Sequence, residues 1–273
     1  MIRWDPSTRS LTFTMPRMRD LMRRRARVIW ATLGFILFLD TLMLFVDLGV
    51  AERMAELDES TDRIFQFITK FGDSKYYLVP IVMLLPFVLA ARQALEDPKV
   101  RRMLGWGALA LVFIFVSIAG AGILNNIIKL IIGRTRPSLW FDEGEYGFAP
   151  FSFGGSRYMS FPSGHSNTAF ALATALGYFW PKGRKYLYAA AALVALSRVV
   201  VTAHYLSDVI AGSVLGVLVV RWIYRQFAKR SWVFIHHKGE TRVAAPGVLL
   251  KQKILQWMHE HLGTRWGARD RLP

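Results

Sequence analysis

Cysteine is absent from all 273 residues. That excludes disulfides and any thiolate metal site, and it removes redox chemistry as a guide to compartment. Acid is scarce as well: 19 Asp and Glu stand against 35 Lys and Arg, a formal net charge of +16. In a soluble chain such a surplus would point first to nucleic acid. Charge of either sign, however, is nearly missing from six long stretches: 28–50, 76–91, 104–132, 166–180, 186–203 and 209–224. A soluble domain would break such runs. The basic residues gather at the ends of these runs and in both tails, which suits anionic lipid head groups better than nucleic acid.

What fills the uncharged stretches is apolar; hydrophobic residues make up 53% of the chain, with 19 Phe and 9 Trp. A helix needs roughly 20 apolar residues to cross a hydrocarbon core about 30 Å thick. The runs predict an all-α, polytopic membrane protein, a bundle of six transmembrane helices, the second and fourth reaching that length only with their flanks. Residues 1–27 hold eight Arg against Asp5 and Asp20, so this end stays in the cytoplasm. The first apolar run, following so long a basic segment, reads as an uncleaved signal anchor rather than a signal peptide. The loop 51–75 is comparatively acidic, whereas Arg92, Lys99, Arg101 and Arg102, then Lys182, Arg184 and Lys185, then Arg225, Lys229 and Arg230 mark the other side. Both termini are therefore expected to be cytoplasmic, in an integral inner membrane protein.

Three parts follow from this: a basic segment 1–27, a six-helix domain 28–230 with an active-site core at 104–226, and a cytoplasmic tail 231–273. In the tail, 232–244 reads as a hairpin around Lys238-Gly239. Leu250, Ile254, Trp257, Met258 and His261 recur at helical spacing, with Lys251 and Lys253 alongside, as in an amphipathic helix lying on the membrane. His236, His237, His259 and His261 have no acidic or thiol partner at ligand spacing, so they read as solvated and no metal is assigned to them. Gly212 and Gly216 read as close helix packing within the bundle, with dimerisation the lesser alternative. Asp40, within the first run, has no evident partner.

The same topology puts three polar clusters on the outer face. These are Lys129 to Arg136-Pro137, Pro162-Ser163-Gly164-His165, and Ser197-Arg198 with His204 and Asp208. On a continuous helix Lys129 and Arg136 share a face, and Pro137 ends that helix. Between the first two clusters, 138–161 is rich in aromatics and acids, either an interfacial belt or a lid for acyl chains.

Cleaving a phosphate ester needs cations around the equatorial oxygens, an in-line nucleophile and an acid for the leaving oxygen. Lys129, Arg136 and Arg198 can supply the cations. Ser163 and Gly164 open a helix whose free N–H groups attract an anion, and Ser163 can cap it. His204, with Asp208 four residues on to fix its tautomer, is the better nucleophile candidate, through a phosphohistidine. His165 suits the general acid, then the base for water. Arg198 and His204 are about 240° apart on an ideal helix, so they meet only if the helix ends between them, as 202–207 allows.

Lys129-x6-Arg136-Pro137, Pro162-Ser-Gly-His165 and Ser197-Arg198-x5-His204-x3-Asp208 together resemble the three-part signature of the type 2 phosphatidic acid phosphatases, which share an active site with vanadium haloperoxidases. Every signature position matches, and the resemblance covers roughly residues 104–226. It implies a six-helix membrane phosphatase that uses no metal or other cofactor. In it His204 is the nucleophile, Asp208 its partner and His165 the acid and base, while Lys129, Arg136, Ser163, Gly164 and Arg198 hold phosphate. The substrate would be a phosphorylated membrane lipid on the outer leaflet: lipid A first, then undecaprenyl diphosphate, phosphatidylglycerol phosphate or phosphatidic acid. Lipid-to-lipid phosphotransfer through the same intermediate is the enzymatic alternative. A non-catalytic transporter or scaffold would have lost a nucleophile or acid position, and none is lost.

Overall fold

The computed structural model describes residues 2–5, 10–13, 18–151, 155–237 and 240–243. The chain divides into two compact units, residues 1–47 and 48–273. In the first, β1 (Ile2–Asp5) pairs antiparallel with β2 (Ser10–Phe13), and α1 spans Met18–Phe45. That helix begins well before the apolar run at Val28, because the Arg, Met, Leu and Ala of 18–27 are good helix formers.

Beyond it come α2 (Asp47–Ala55), α3 (Glu59–Thr69), a 3-10 turn at Lys70–Gly72, α4 (Lys75–Ala94), α5 (Pro98–Ile132) and α6 (Pro137–Glu143). Then follow α7 (Gly164–Phe179), α8 (Arg184–Val200), α9 (Leu206–Lys229) and the antiparallel hairpin of β3 (Phe234–His237) with β4 (Glu240–Val243). That hairpin is the one the tail sequence suggests. Its turn at 238–239 and the amphipathic helix expected over 250–261 lie outside the described residues.

Two expectations need correction. The acidic connection 51–75 is not a loop: Asp58 accepts from the Thr61 N–H at 3.0 Å and caps α3, as Asp does before a helix with acids in its first turn. Nor does α5 run to Pro137. It stops at Gly133, which is left-handed at φ 61°, and a Cβ there would overlap the Ala149 carbonyl. Only glycine meets both demands. Pro137 instead opens α6, where its missing N–H costs nothing.

Among the described residues four stretches are long and apolar enough to cross a bilayer, Arg25–Phe45, Glu59–Ala94, Pro98–Ile132 and Leu206–Lys229. That is fewer than the expected six. α7 and α8 have 16 and 17 residues, roughly 25 Å at 1.5 Å each, short of a core about 30 Å thick. The outward face of α4 exposes Val79, Val82, Met83 and Phe87, the last 73% accessible, an arrangement suited to lipid contact.

α7 sits at the centre of the second unit, packed against α5, α8 and α9. A Cβ on Gly212 or Gly216 of α9 would overlap the carbonyls of Ser163 or Asn167 of α7. These glycines are therefore spent on packing inside the bundle. Far from the α7 N-terminus, Phe234 of β3 closes the core against Phe113, with ring centroids 4.9 Å apart, and against Tyr178, Phe179 and Tyr224.

Candidate functional site

Four helix ends meet at one end of the second unit: the last turns of α5 and α8, and the first turns of α7 and α9. α5 contributes Asn125 and Lys129. Asn125 Nδ2 donates to the Pro162 carbonyl at 3.3 Å, and Lys129 Nζ donates to the carbonyls of Met159 and Ser160. These bonds clamp 159–162 and so aim Ser163-Gly164-His165 at the site. From the other side, Ser163 N–H donates to the Asp208 carbonyl at 2.9 Å. Ser163 holds the N-cap position of α7, but its side chain does not cap; it accepts from Ser166 Oγ at 3.0 Å.

The break at Gly133 changes the expected first cluster. Residues 134–136 run extended, not helical, with Thr135 N–H bonded to the Gly147 carbonyl and Arg136 N–H to the Arg157 carbonyl. The side chains of Lys129 and Arg136 still converge, close enough to interact electrostatically with each other and with Asp208. Burial holds the Arg136 guanidinium below its usual range, and the Asp208 carboxylate opposes that fall.

The angular conflict between Arg198 and His204 is resolved by ending the helix. α8 stops at Val200, Thr202 turns back at φ 48°, and the N–H groups of Ala203 and His204 both donate to the Arg198 carbonyl. His204 is 3% exposed and Asp208 fully buried. His204 Nδ1 lies 3.8 Å from Asp208 Oδ2 and 3.4 Å from Ser160 Oγ. Burial pushes the His204 imidazole down to about 3, against the nearby Asp208 carboxylate, which raises it. A buried ring of this kind stays neutral and keeps a lone pair.

His165 lies in the field of Arg198, Arg136 and Lys129, with Asp73 the opposing charge. All eight residues singled out in the sequence, Lys129, Arg136, Ser163, Gly164, His165, Arg198, His204 and Asp208, thus fall in one neighbourhood. A Cβ on Gly164 would lie 4.0 Å from Lys129 Cε.

Several residues of this neighbourhood escape sequence reasoning. Arg134, 1% exposed, pairs with Asp208 Oδ1 at 2.6 Å and donates to Ser207 Oγ and to the Tyr146 hydroxyl, with its guanidinium 4.5 Å over the Tyr205 ring. Ser160, fully buried, donates to Asp208 Oδ2 at 2.5 Å. Asp208 Oδ2 also accepts the Tyr205 N–H at 3.0 Å and so caps α9. The segment before α4 enters too: Thr69 Oγ1 accepts from Arg198 at 2.6 Å, and Gly72 faces His165 so closely that a Cβ would stand 2.7 Å from His165 Cβ. The one signal available was electrostatic, since a buried Asp208 needs a cation beyond a neutral histidine.

The balance of charge is cationic. Asp208 is matched by Arg134, which leaves Lys129, Arg136 and Arg198 without an ion-pair partner among the described residues. The Nε atoms of Arg136 and Arg198 are buried without a hydrogen-bond partner among the described residues. Such donors carry a desolvation cost until an anion meets them, and guanidinium forks match phosphate oxygens. Beside the site, α3, α7 and α8 enclose an apolar cavity of about 310 Å³ lined by Ile68, Phe71, Ala169, Ala173, Leu187 and Val194, among others. Ala169 lies one turn along α7 from His165, and Val194 one turn before Arg198.

The sequence profile of the PAP2 superfamily matches residues 110–232. A lipid A 1-phosphatase from Rhizobium etli is 33% identical over 178 residues, covering 65% of this chain and 75% of that protein. One from Rhizobium johnstonii is 36% identical over 151 residues, 55% of this chain and 62% of that protein. The crystal structure of a transmembrane PAP2 type phosphatidylglycerolphosphate phosphatase from Bacillus subtilis shares the fold at a TM-score of 0.51. It covers 72% of this chain and 94% of that chain at 22% identity. The chain belongs to the PAP2 superfamily, as one of its membrane phosphatases.

Proposed function

We propose that this chain hydrolyses a phosphate ester or diphosphate on a membrane lipid through a phosphohistidine on His204. The observation that carries the reading is the pair of buried guanidinium Nε atoms of Arg136 and Arg198, unpartnered among the described residues, beside Lys129. They are donors suited to an anion next to a neutral imidazole. Lys129, Arg136, Arg198 and the N–H groups at Ser163-Gly164 hold the phosphoryl oxygens. Asp208, through Nδ1, orients His204 and stabilises the imidazolium that forms, which leaves Nε2 to attack phosphorus. His165 gives its proton to the departing oxygen and later takes one from the water that releases phosphate. The cations are the chain's own, so turnover is expected to persist in EDTA; loss on chelation, restored by a divalent ion, would contradict this.

For the substrate, the apolar cavity next to His165 and Arg198 favours a lipid over a soluble ester. The two lipid A 1-phosphatases put the 1-phosphate of lipid A first, ahead of undecaprenyl diphosphate, phosphatidylglycerol phosphate and phosphatidic acid. We read α7 and α8 as the fourth and fifth of six spans, short because their polar ends sit at head-group depth. By the distribution of Lys and Arg, both termini face the cytoplasm and the site faces the periplasm of the inner membrane.

Phosphate release from purified protein across a panel of lipid phosphates and diphosphates tests this reading. Lipid A 1-phosphate is expected to give the highest kcat/KM, and His204→Ala and His165→Ala are each expected to abolish release while remaining folded in detergent. Full turnover by either variant refutes its assigned role. Transfer to a hydroxylated lipid in preference to water would replace hydrolysis with phosphotransfer.

A further inference from the structure

At the opposite end of the bundle from the cluster of His165, Arg198 and Asp208 lies a basic cavity. It measures about 310 Å³ and is lined by Thr174 and Tyr178 of α7, Arg184 and Tyr188 of α8, and Val217 and Arg221 of α9. Arg184 opens the helix whose last turn holds Arg198, Tyr178 follows His165 along α7, and Arg221 follows Asp208 along α9. At 1.5 Å per residue each separation is about 20 Å. The cavity is therefore distinct from the site formed by His165, Arg198 and Asp208.

Its chemistry is that of an anion receptor. No carboxylate lines it, and neither arginine has an ion-pair partner among the described residues. Arg184 donates to the Gly177 carbonyl at 3.2 Å and lies 5.7 Å over the Tyr178 ring, so most of its N–H groups remain for a ligand. Tyr178 is itself held, stacked on Tyr224 at 3.7 Å and 3°. The Thr174 hydroxyl donates to the Phe170 carbonyl and lies 2.9 Å from the Tyr188 hydroxyl, so Tyr188 donates to it and keeps its lone pairs in place. Two guanidinium groups around one cavity repel each other unless an anion lies between them. Val217 and the faces of the tyrosine rings add an apolar side to this polar lining, against which the carbons of a lipid can lie. Basic pockets between membrane helices are known receptors for anionic head groups.

We propose that this cavity binds the phosphate of an anionic phospholipid, at a site separate from the one that cleaves phosphate. The shared chemistry is a phosphate-bearing anion, and the sources are told apart by experiment. The full chain is transferred to micelles containing equal phosphatidylglycerol and phosphatidylcholine, and retained lipid is counted by native mass spectrometry. One phosphatidylglycerol is expected to stay with the wild-type chain in preference to phosphatidylcholine. Arg184→Gln with Arg221→Gln is expected to weaken that retention roughly a hundredfold, from two lost charge-assisted contacts. Arg136→Gln, altered at the other site, keeps the lipid. Displacement by inorganic phosphate supports the site but assigns it to a soluble anion; resistance to displacement assigns it to the lipid. Equal retention by the double variant, or loss in Arg136→Gln, overturns the proposal. Hydrolysis of a water-soluble aryl phosphate by the double variant reports that it is folded, and the single change at the exposed Arg221 serves where it is not.

Discussion

Asp208 is fully buried and accepts from Arg134, Ser160 and the Tyr205 N–H while facing His204. Its ionised form depends on those partners, since a buried charge without a counter-ion is costly. Arg134→Gln is expected to lower stability by about 3–5 kcal/mol, read by unfolding in detergent; a loss under about 1 kcal/mol would mean that the pair is solvated. Ser160→Ala removes a hydrogen bond to a charged acceptor, worth about 1.5–3 kcal/mol. It is expected to cut kcat roughly ten- to a hundredfold, with KM little changed if Ser160 acts through the orientation of Asp208 and His204. The His204 ring adds a pH dependence whose sign is fixed. Unfolded, it takes a proton near pH 6.5; folded, only near about 3. The stability tied to its neutral form is full above about pH 6.5 and lost as pH falls toward 3. Thermal unfolding against pH is expected to fall through that window, and less steeply in His204→Asn. Of these residues, Asp208 and His204 were legible because their spacing has a chemical meaning. Arg134 was not: it sits two residues from Arg136, and only the turn at Gly133, which no spacing rule announces, sends the two to different partners.

The elements were legible where hydropathy is uniform and opaque where it is mixed. α4, α5 and α7 to α9 each lie within a few residues of an apolar run. α3 was taken for a loop because Glu59, Asp62 and Arg63 interrupt its apolar face of Ile64, Phe67 and Ile68, yet this short helix delivers Thr69 to Arg198. Thr69→Val is expected to raise KM for a lipid phosphate roughly tenfold or more through the lost bond to a cation, measured by initial rates; an unchanged KM would show that Arg198 holds its position without it. α3, α7 and α8 also wall the apolar cavity beside His165. Ala173→Phe is expected to fill it and depress turnover of long-chain lipid phosphates at least tenfold, leaving a water-soluble aryl phosphate unaffected. Equal losses on both substrates would mean that the substitution disturbed the bundle instead.

At the largest scale, the convergence of helix ends is what the proposed six-span reading requires: a chain that crosses back and forth returns every second connection to one face. That logic was readable from the charges of the connections, and it predicts all three polar clusters on one face without reference to their chemistry. The shortness of α7 was readable, since its run 166–180 reaches a span only with its flanks; that of α8 was not, because its apolar run continues to 203 while the helix ends at Val200. With no native cysteine to interfere, single substitutions at the exposed Ser156 and Lys182 can be labelled with an impermeant thiol reagent. Opposite-sided reactivity is expected, and same-sided reactivity would contradict the six-span reading. The central claim is that this one cradle passes a phosphoryl group to His204, and the direct measurement is alkaline quench of His165→Ala during reaction with an aryl phosphate, followed by peptide mass spectrometry. The account expects one phosphoryl group, carried on His204; a phosphoryl group on any other residue, or continued turnover with His204 unmodified, would contradict it.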